Sequence, residues 1–177
     1  ALAAAPALAA AATPIPPRGT GPERGVAIVQ CLDRDTGIRT RARAAILDLG
    51  VADPVRDAVL TAAHGLPPDS ETVRRNCTVF ADGGRTYRIR AVFLGGQNDW
   101  AVLVTSRRLR GAVARLTPVP LTAEQFGALL RGEAPLELRR LLQNDHCRAH
   151  ADWLSRTELD AGLFLHSCRS WPGLSGS

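Results

Sequence analysis

From Gly25 onward the chain is a succession of short apolar runs cut by turn residues, and that pattern restricts the fold more than any other feature. The runs are "VAIVQCL", "RAAILDL", "AVLTA", "YRIRAVFL" and "WAVLVT". Each is of strand length and too short for an ordinary helix. In "YRIRAVF" Tyr87, Ile89, Ala91 and Phe93 fall on one face and Arg88 and Arg90 on the other, the two-residue alternation of a half-buried strand. "ADGGR" just before it supplies a turn. Many short strands at close spacing predict an all-β barrel or sandwich. One helix is predicted among them, over "LTAEQFGALLRGE". Thr122 is its N-cap, Gln125 stands at the capping-box position, and Phe126, Leu129 and Leu130 form an apolar stripe. Near the end, "AGLFLHSC" again reads as a strand running into a loop. No internal repeat is visible.

The 177 residues suffice for one ordinary domain or for two small barrels sharing an interface. The net charge of +5 is carried by arginine alone, since the chain contains no lysine. The arginines are scattered and interspersed with acids, so no nucleic-acid partner is predicted. Only "RRLR", Arg107 to Arg110, is a tight run, and it reads as a solvated loop. The opening "ALAAAPALAAAATPIPP" is apolar, rich in small residues and then broken by prolines, like the end of an export signal. Ala7-Leu8-Ala9 and Ala10-Ala11-Ala12 are candidate cleavage sites. Residues 1–12 are read as a signal-peptide remnant and residues 13–25 as a mobile Pro/Gly-rich lead-in. Neither this stretch nor any other is long enough to span a bilayer. A secreted or periplasmic protein is the expectation.

Cys31, Cys77, Cys147 and Cys168 suit that compartment, where disulfides persist. Four thiols permit three pairings. Cys31–Cys77 with Cys147–Cys168 is favoured because each bridge then stays in its own half of the chain; the alternative is one or more free, buried thiols. "DHCRAH" places Asp145, His146, Cys147 and His150 close together but lacks a second ligand pair at a recognised spacing, so no metal is predicted.

Three further stretches carry chemistry. "LTAAH" ends a strand-like run on His64, "NDWAVL" places Asp99 just before an apolar strand, and "PGLSGS" sets Ser175 between glycines. Taken singly, each is ordinary: a histidine at a strand end is usually structural, an aspartate before a strand is usually a turn residue, and a serine in a glycine-rich tail is usually a linker. Together, in the order His, Asp, Ser with gaps of 35 and 76 residues, they resemble the chymotrypsin/trypsin-like serine peptidases, especially the bacterial exported ones. The resemblance covers roughly residues 26–177. It implies a trypsin-like double β-barrel with one short helix in the inter-barrel region, a first barrel at about 26–110 and a partial second barrel at about 111–177.

The resemblance also implies roles. Ser175 would attack the scissile carbonyl, His64 would take its proton and later return it to the leaving amine, and Asp99 would fix the imidazole. Gly173 and Ser175 would donate the backbone N–H groups of an oxyanion hole. The implied activity is secreted serine endopeptidase, acting on protein or peptide through an acyl-enzyme, as a monomer and with no cofactor. All of it requires an imidazole, a buried carboxylate and a hydroxyl to meet.

Departures from the family pattern sharpen these expectations. Leu174 stands where many animal members carry an acid that pairs with a new N-terminus, and no "IVGG"-like start lies near residue 26. The chain is therefore expected to need no such ion pair. Gly65 follows His64 where many relatives have a cysteine, a further reason to look from Cys31 to Cys77. Arg169 lies where the family lines its primary specificity pocket, and is a candidate for acidic preference. Only Gly176 and Ser177 follow the nucleophile, so the second barrel is expected to be incomplete and this segment inactive alone. The rival expectation is a non-catalytic trypsin-like binding or regulatory protein, against which the intact His64, Asp99 and Ser175 set argues.

Overall fold

The computed structural model describes residues 25–50, 55–81, 84–96, 98–110, 113–139, 144–152, 154–157 and 165–168. Six strands form a closed barrel: β1 (Val26–Leu32), β2 (Arg39–Leu47), β3 (Ala58–Thr61), β4 (Cys77–Ala81), β5 (Arg85–Leu94) and β6 (Ala101–Thr105). Their order around the barrel is β1-β2-β3-β6-β5-β4, every pair antiparallel. Closure removes the exposed edges that an open sheet of this size would carry. A separate antiparallel sheet follows, of β7 (Pro135–Arg139), β8 (Asn144–His150) and β9 (Leu165–His166). The architecture is all-β, as the run pattern predicts.

Alternation builds the interior. Ala27, Val29 and Cys31 of β1, Ala42, Ala44 and Ile46 of β2, and Cys77, Val79 and Ala81 of β4 point inward and are buried. Alanines at so many inward positions suit a small barrel, whose interior has room for few large side chains. Tyr87, Ile46 and Leu103 are the largest fully buried side chains. Cys31 faces Cys77 directly across the β1–β4 pair, and the two are joined as a disulfide. Cys147 is joined to Cys168, tying β8 to the segment after β9.

The face predicted for β5 holds only in part. Tyr87 and Ile89 are buried and Arg88 and Arg90 exposed, but the register against β6 shifts between Ile89 and Ala91. That bulge exchanges the two faces for the rest of the strand. Val92 now lies opposite buried Leu103 and packs on the core, while Phe93 is turned outward and 57% exposed. Strict alternation cannot foresee a bulge from a run with no glycine in it.

The predicted helix is α2 (Ala123–Leu130), with the Thr122–Gln125 capping box formed in both directions. A second helix, α1 (Ser70–Asn76), corrects the expectation of one. The Asp69 side chain caps it by accepting the Thr72 N–H at 2.8 Å, and Glu71, Arg74 and Arg75 suit its dipole. It buries one residue, Val73, in the barrel core. A two-turn helix with one buried position has no apolar stripe to read.

The segment after β6 returns to the barrel. Asp57 is buried at the start of β3, and its carboxylate accepts the Leu109 N–H at 2.7 Å and Arg115 Nε and Nη2 at 2.6 and 2.9 Å. Leu109 and Val113 join the core, although Arg107, Arg108 and Arg110 around Leu109 are exposed. Leu116 bridges to Leu47 beside Gly25, whose φ of 74° brings its Cα against the Leu116 side chain.

Candidate active site

β3 and β6 are antiparallel neighbours, with Thr61 opposite Ala101. The end of β3 and the start of β6 therefore lie at one end of the barrel. Past Thr61 the chain enters a single 3-10 turn, Ala63–Gly65, closed by the Leu66 N–H on the Ala63 carbonyl at 2.9 Å. Before Ala101 it leaves the turn that joins β5 to β6. His64 stands in the first turn and Asp99 in the second, so barrel closure brings together two residues 35 apart in sequence.

They meet through two contacts. His64 Nδ1 lies 2.6 Å from Asp99 Oδ2, and the His64 backbone N–H donates to Asp99 Oδ1 at 2.8 Å. A carboxylate this close to Nδ1 requires a proton between them, which leaves the lone pair of a neutral ring on Nε2. The His64 side-chain hydrogen bond is the largest cause holding the Asp99 carboxyl below its ordinary value; burial opposes it as the next largest, and the His64 backbone N–H adds a smaller lowering. An imidazole oriented in this way can accept a proton at Nε2 and hold the resulting charge beside a carboxylate.

One expectation fails here. The carboxylate is not buried: the side chains of His64 and Asp99 are 59% and 57% exposed. Both residues stand in turns beyond the strand ends rather than on inward strand positions, which is why the barrel core does not cover them. Ser175, Gly173, Arg169 and Leu174 lie outside the described residues.

A cavity of about 560 Å³ opens beside His64. The β1–β2 turn (Leu32 to Asp35), the Leu66-Pro67-Pro68 segment, and Arg75 and Asn76 of α1 line it. Asp33 shapes its rim by accepting the Asp35 N–H at 2.9 Å.

At the second sheet, Cys147, Cys168 and His166 bring donor atoms within 4.8 Å of one another. Both sulfurs are bonded in the disulfide, so they offer no thiolates to a metal. His146, predicted near Cys147 in "DHCRAH", is exposed on the opposite face of β8. Among the described residues no helix is long and apolar enough to cross a membrane.

Sequence reading missed two groups, one beside the pair and one at the far end of the same two strands. Asp57 precedes β3 at the end away from His64, beside Thr105 of β6, and only the fold reveals its arginine partner. Gly95 and Trp100 flank the Asp99 turn; "GGQNDW" signals a turn but not that the indole would rest on a glycine.

No protein-family model and no curated protein matches the chain. Solved structures do, among them the structure of GrC, at 13% sequence identity with a TM-score of 0.52 over 82% of this chain and 70% of that one. At that identity the likeness is one of fold.

Proposed function

We propose that residues 26–177 form a trypsin-like serine peptidase domain that hydrolyses peptide bonds, with the first barrel over about 26–110 and part of a second over about 111–177. The observation that carries this reading is the His64–Asp99 pair, with its 2.6 Å ring-to-carboxylate contact at the shared end of β3 and β6. The all-β fold and its likeness to GrC support it at the level of architecture. Two disulfides support an exported protein.

In this reading Ser175 supplies the nucleophile. Its Oγ attacks the scissile carbonyl as His64 Nε2 takes the hydroxyl proton, and the backbone N–H groups of Gly173 and Ser175 hold the oxyanion. Collapse of the tetrahedral adduct breaks the C–N bond, and the same proton passes from Nε2 to the leaving amine. Water then repeats the sequence on the acyl-enzyme. The cavity that His64 lines is a candidate for holding part of the substrate chain. Arg169 is proposed to tune the primary pocket toward acidic side chains, checked by comparing Glu, Arg and Phe at the cleaved position.

The deciding experiment is labelling by a fluorophosphonate probe, with the modified residue located by mass spectrometry, on the product of the complete gene. Adduct on Ser175, lost in Ser175→Ala and His64→Ala, is the expected result. Labelling that survives Ser175→Ala overturns the assignment. A folded protein that never labels is instead a non-catalytic binding protein on the same fold.

A further inference from the structure

The exposure of the His64–Asp99 pair poses a physical problem. At a pair this exposed, the His64 backbone N–H on Oδ1 and the ring on Oδ2 contribute little by themselves to holding the geometry. Something in the backbone must aim Asp99.

The turn between β5 and β6 contains such a device. The Gly95 N–H donates to the Trp100 carbonyl at 2.8 Å, the Asn98 N–H to the Gly95 carbonyl at 3.2 Å, and the Trp100 N–H to the Asn98 carbonyl at 2.8 Å. Across this frame the Trp100 indole lies on the Gly95 Cα. A Cβ at Gly95 would stand 2.5 Å from Cε2 and Nε1 of that ring and 2.7 Å from Cδ2. Real Cβ atoms do not come so near, and a rigid ring cannot yield at one end as a flexible chain can. Gly95 does not have the positive φ that makes glycine necessary at Gly96. It is constrained by the indole above it.

Trp100 immediately follows Asp99 and precedes fully buried Ala101. The Trp100 N–H on the Asn98 carbonyl closes a three-residue turn with Asp99 at its centre, so a ring fixed on Gly95 anchors the backbone from which the carboxylate leaves. The ring is 41% exposed, too open for its location to be explained by core packing alone.

We infer that Trp100, seated on Gly95, is a positioning residue that aims the Asp99 carboxylate at His64. The inference rests on the peptidase reading for its kinetic consequence but not for its geometric one. Gly95→Ala lifts the ring, Trp100→Ala removes it, and Trp100→Phe leaves a flat ring to sit on the glycine.

Two readouts on the product of the complete gene test the inference. One is the low-field proton resonance of the His64 Nδ1–H, assigned by its loss in His64→Ala. The other is kcat and KM on a peptide substrate. Gly95→Ala and Trp100→Ala are expected to displace or broaden the resonance and to lower kcat by about 10- to 100-fold, the scale of a small misplacement of a catalytic group. KM should stay within about two-fold, and Trp100→Phe should restore most of both. Circular dichroism and thermal unfolding report folding in each case. Any folded Gly95→Ala or Trp100→Ala protein with resonance and kcat intact overturns the inference, as does a kcat that falls only with the unfolded fraction. If the unsubstituted protein turns over no substrate, the peptidase reading fails alone and the resonance decides the positioning role.

Discussion

Replacing Asp99 with asparagine separates a catalytic role from a structural one. In the native pair both carboxylate oxygens are used, Oδ2 by the ring Nδ1 at 2.6 Å and Oδ1 by the His64 backbone N–H at 2.8 Å. An amide has one acceptor where the carboxylate has two. If its oxygen keeps the backbone bond, its NH2 faces Nδ1, which must then accept, and the ring proton moves to Nε2, where on the proposed peptidase reading it blocks uptake of the Ser175 proton. If the amide flips, the ring keeps its tautomer but two N–H donors face each other at the backbone. At so exposed a site, losing that bond costs about 1 kcal/mol. At about 1 kcal/mol the productive arrangement holds roughly a sixth of the molecules, a loss of roughly 5-fold. Removal of the negative charge beside the developing imidazolium accounts for the rest of the roughly 10⁴-fold loss seen when a triad of this kind is altered in the same way.

Stability should behave differently. The pair is more than half exposed, so its contribution to folding is screened and stays under about 1 kcal/mol. The assay is kcat on a peptide, with the rate of fluorophosphonate labelling, set against urea unfolding of the same two proteins. A fall in activity under about ten-fold, or a loss of stability of several kcal/mol with unchanged labelling, would refute the reasoning.

Three further outcomes follow from the fold. Removing the Cys31–Cys77 bridge by double alanine substitution opens a 46-residue loop; the chain-entropy relation gives a loss of about 4 kcal/mol, against about 3.3 kcal/mol for the 21-residue Cys147–Cys168 loop, both measurable by denaturant unfolding. Asp57→Ala strands Arg115, whose side chain is only 20% exposed, and should cost about 3–5 kcal/mol. The double variant with Arg115→Met should recover part of that loss in the same measurement. Asp99 has its folded pKa depressed chiefly by His64, so its contribution to stability is present above the unfolded value near 4 and is lost as pH falls through the lower folded value. Carboxyl titration by NMR should place the native midpoint below 3.8 and move it upward in His64→Ala.

The sequence made the barrel legible because its strands are half-buried. Val29, Cys31, Val79 and Leu103 alternate with solvated neighbours, and that rhythm survives in the folded protein. Thr122 and Gln125 announced α2 by a local hydrogen-bond pattern that needs no tertiary partner. What escaped was set by contacts between distant segments. The β5 bulge depends on pairing with β6, and Asp57 looks like any turn aspartate until Arg115 folds back on it. α1 hides because Val73 alone gives it no rhythm. At the candidate site, residue types and order pointed to His64 and Asp99, whereas the openness of the pair and the indole resting on Gly95 are properties of how two turns happen to project.

The pairing of β3 with β6 has a kinetic meaning. These strands are separated by about half of the barrel's chain, so their pairing carries the loop-closure cost of the α1, β4 and β5 segment between them. Contacts so remote in sequence form late and slowly. Proton-transfer competence would then be among the last properties acquired during refolding, and a mechanism-based label would serve as a clock for ring closure. It would stay silent on intermediates that already show full strand content.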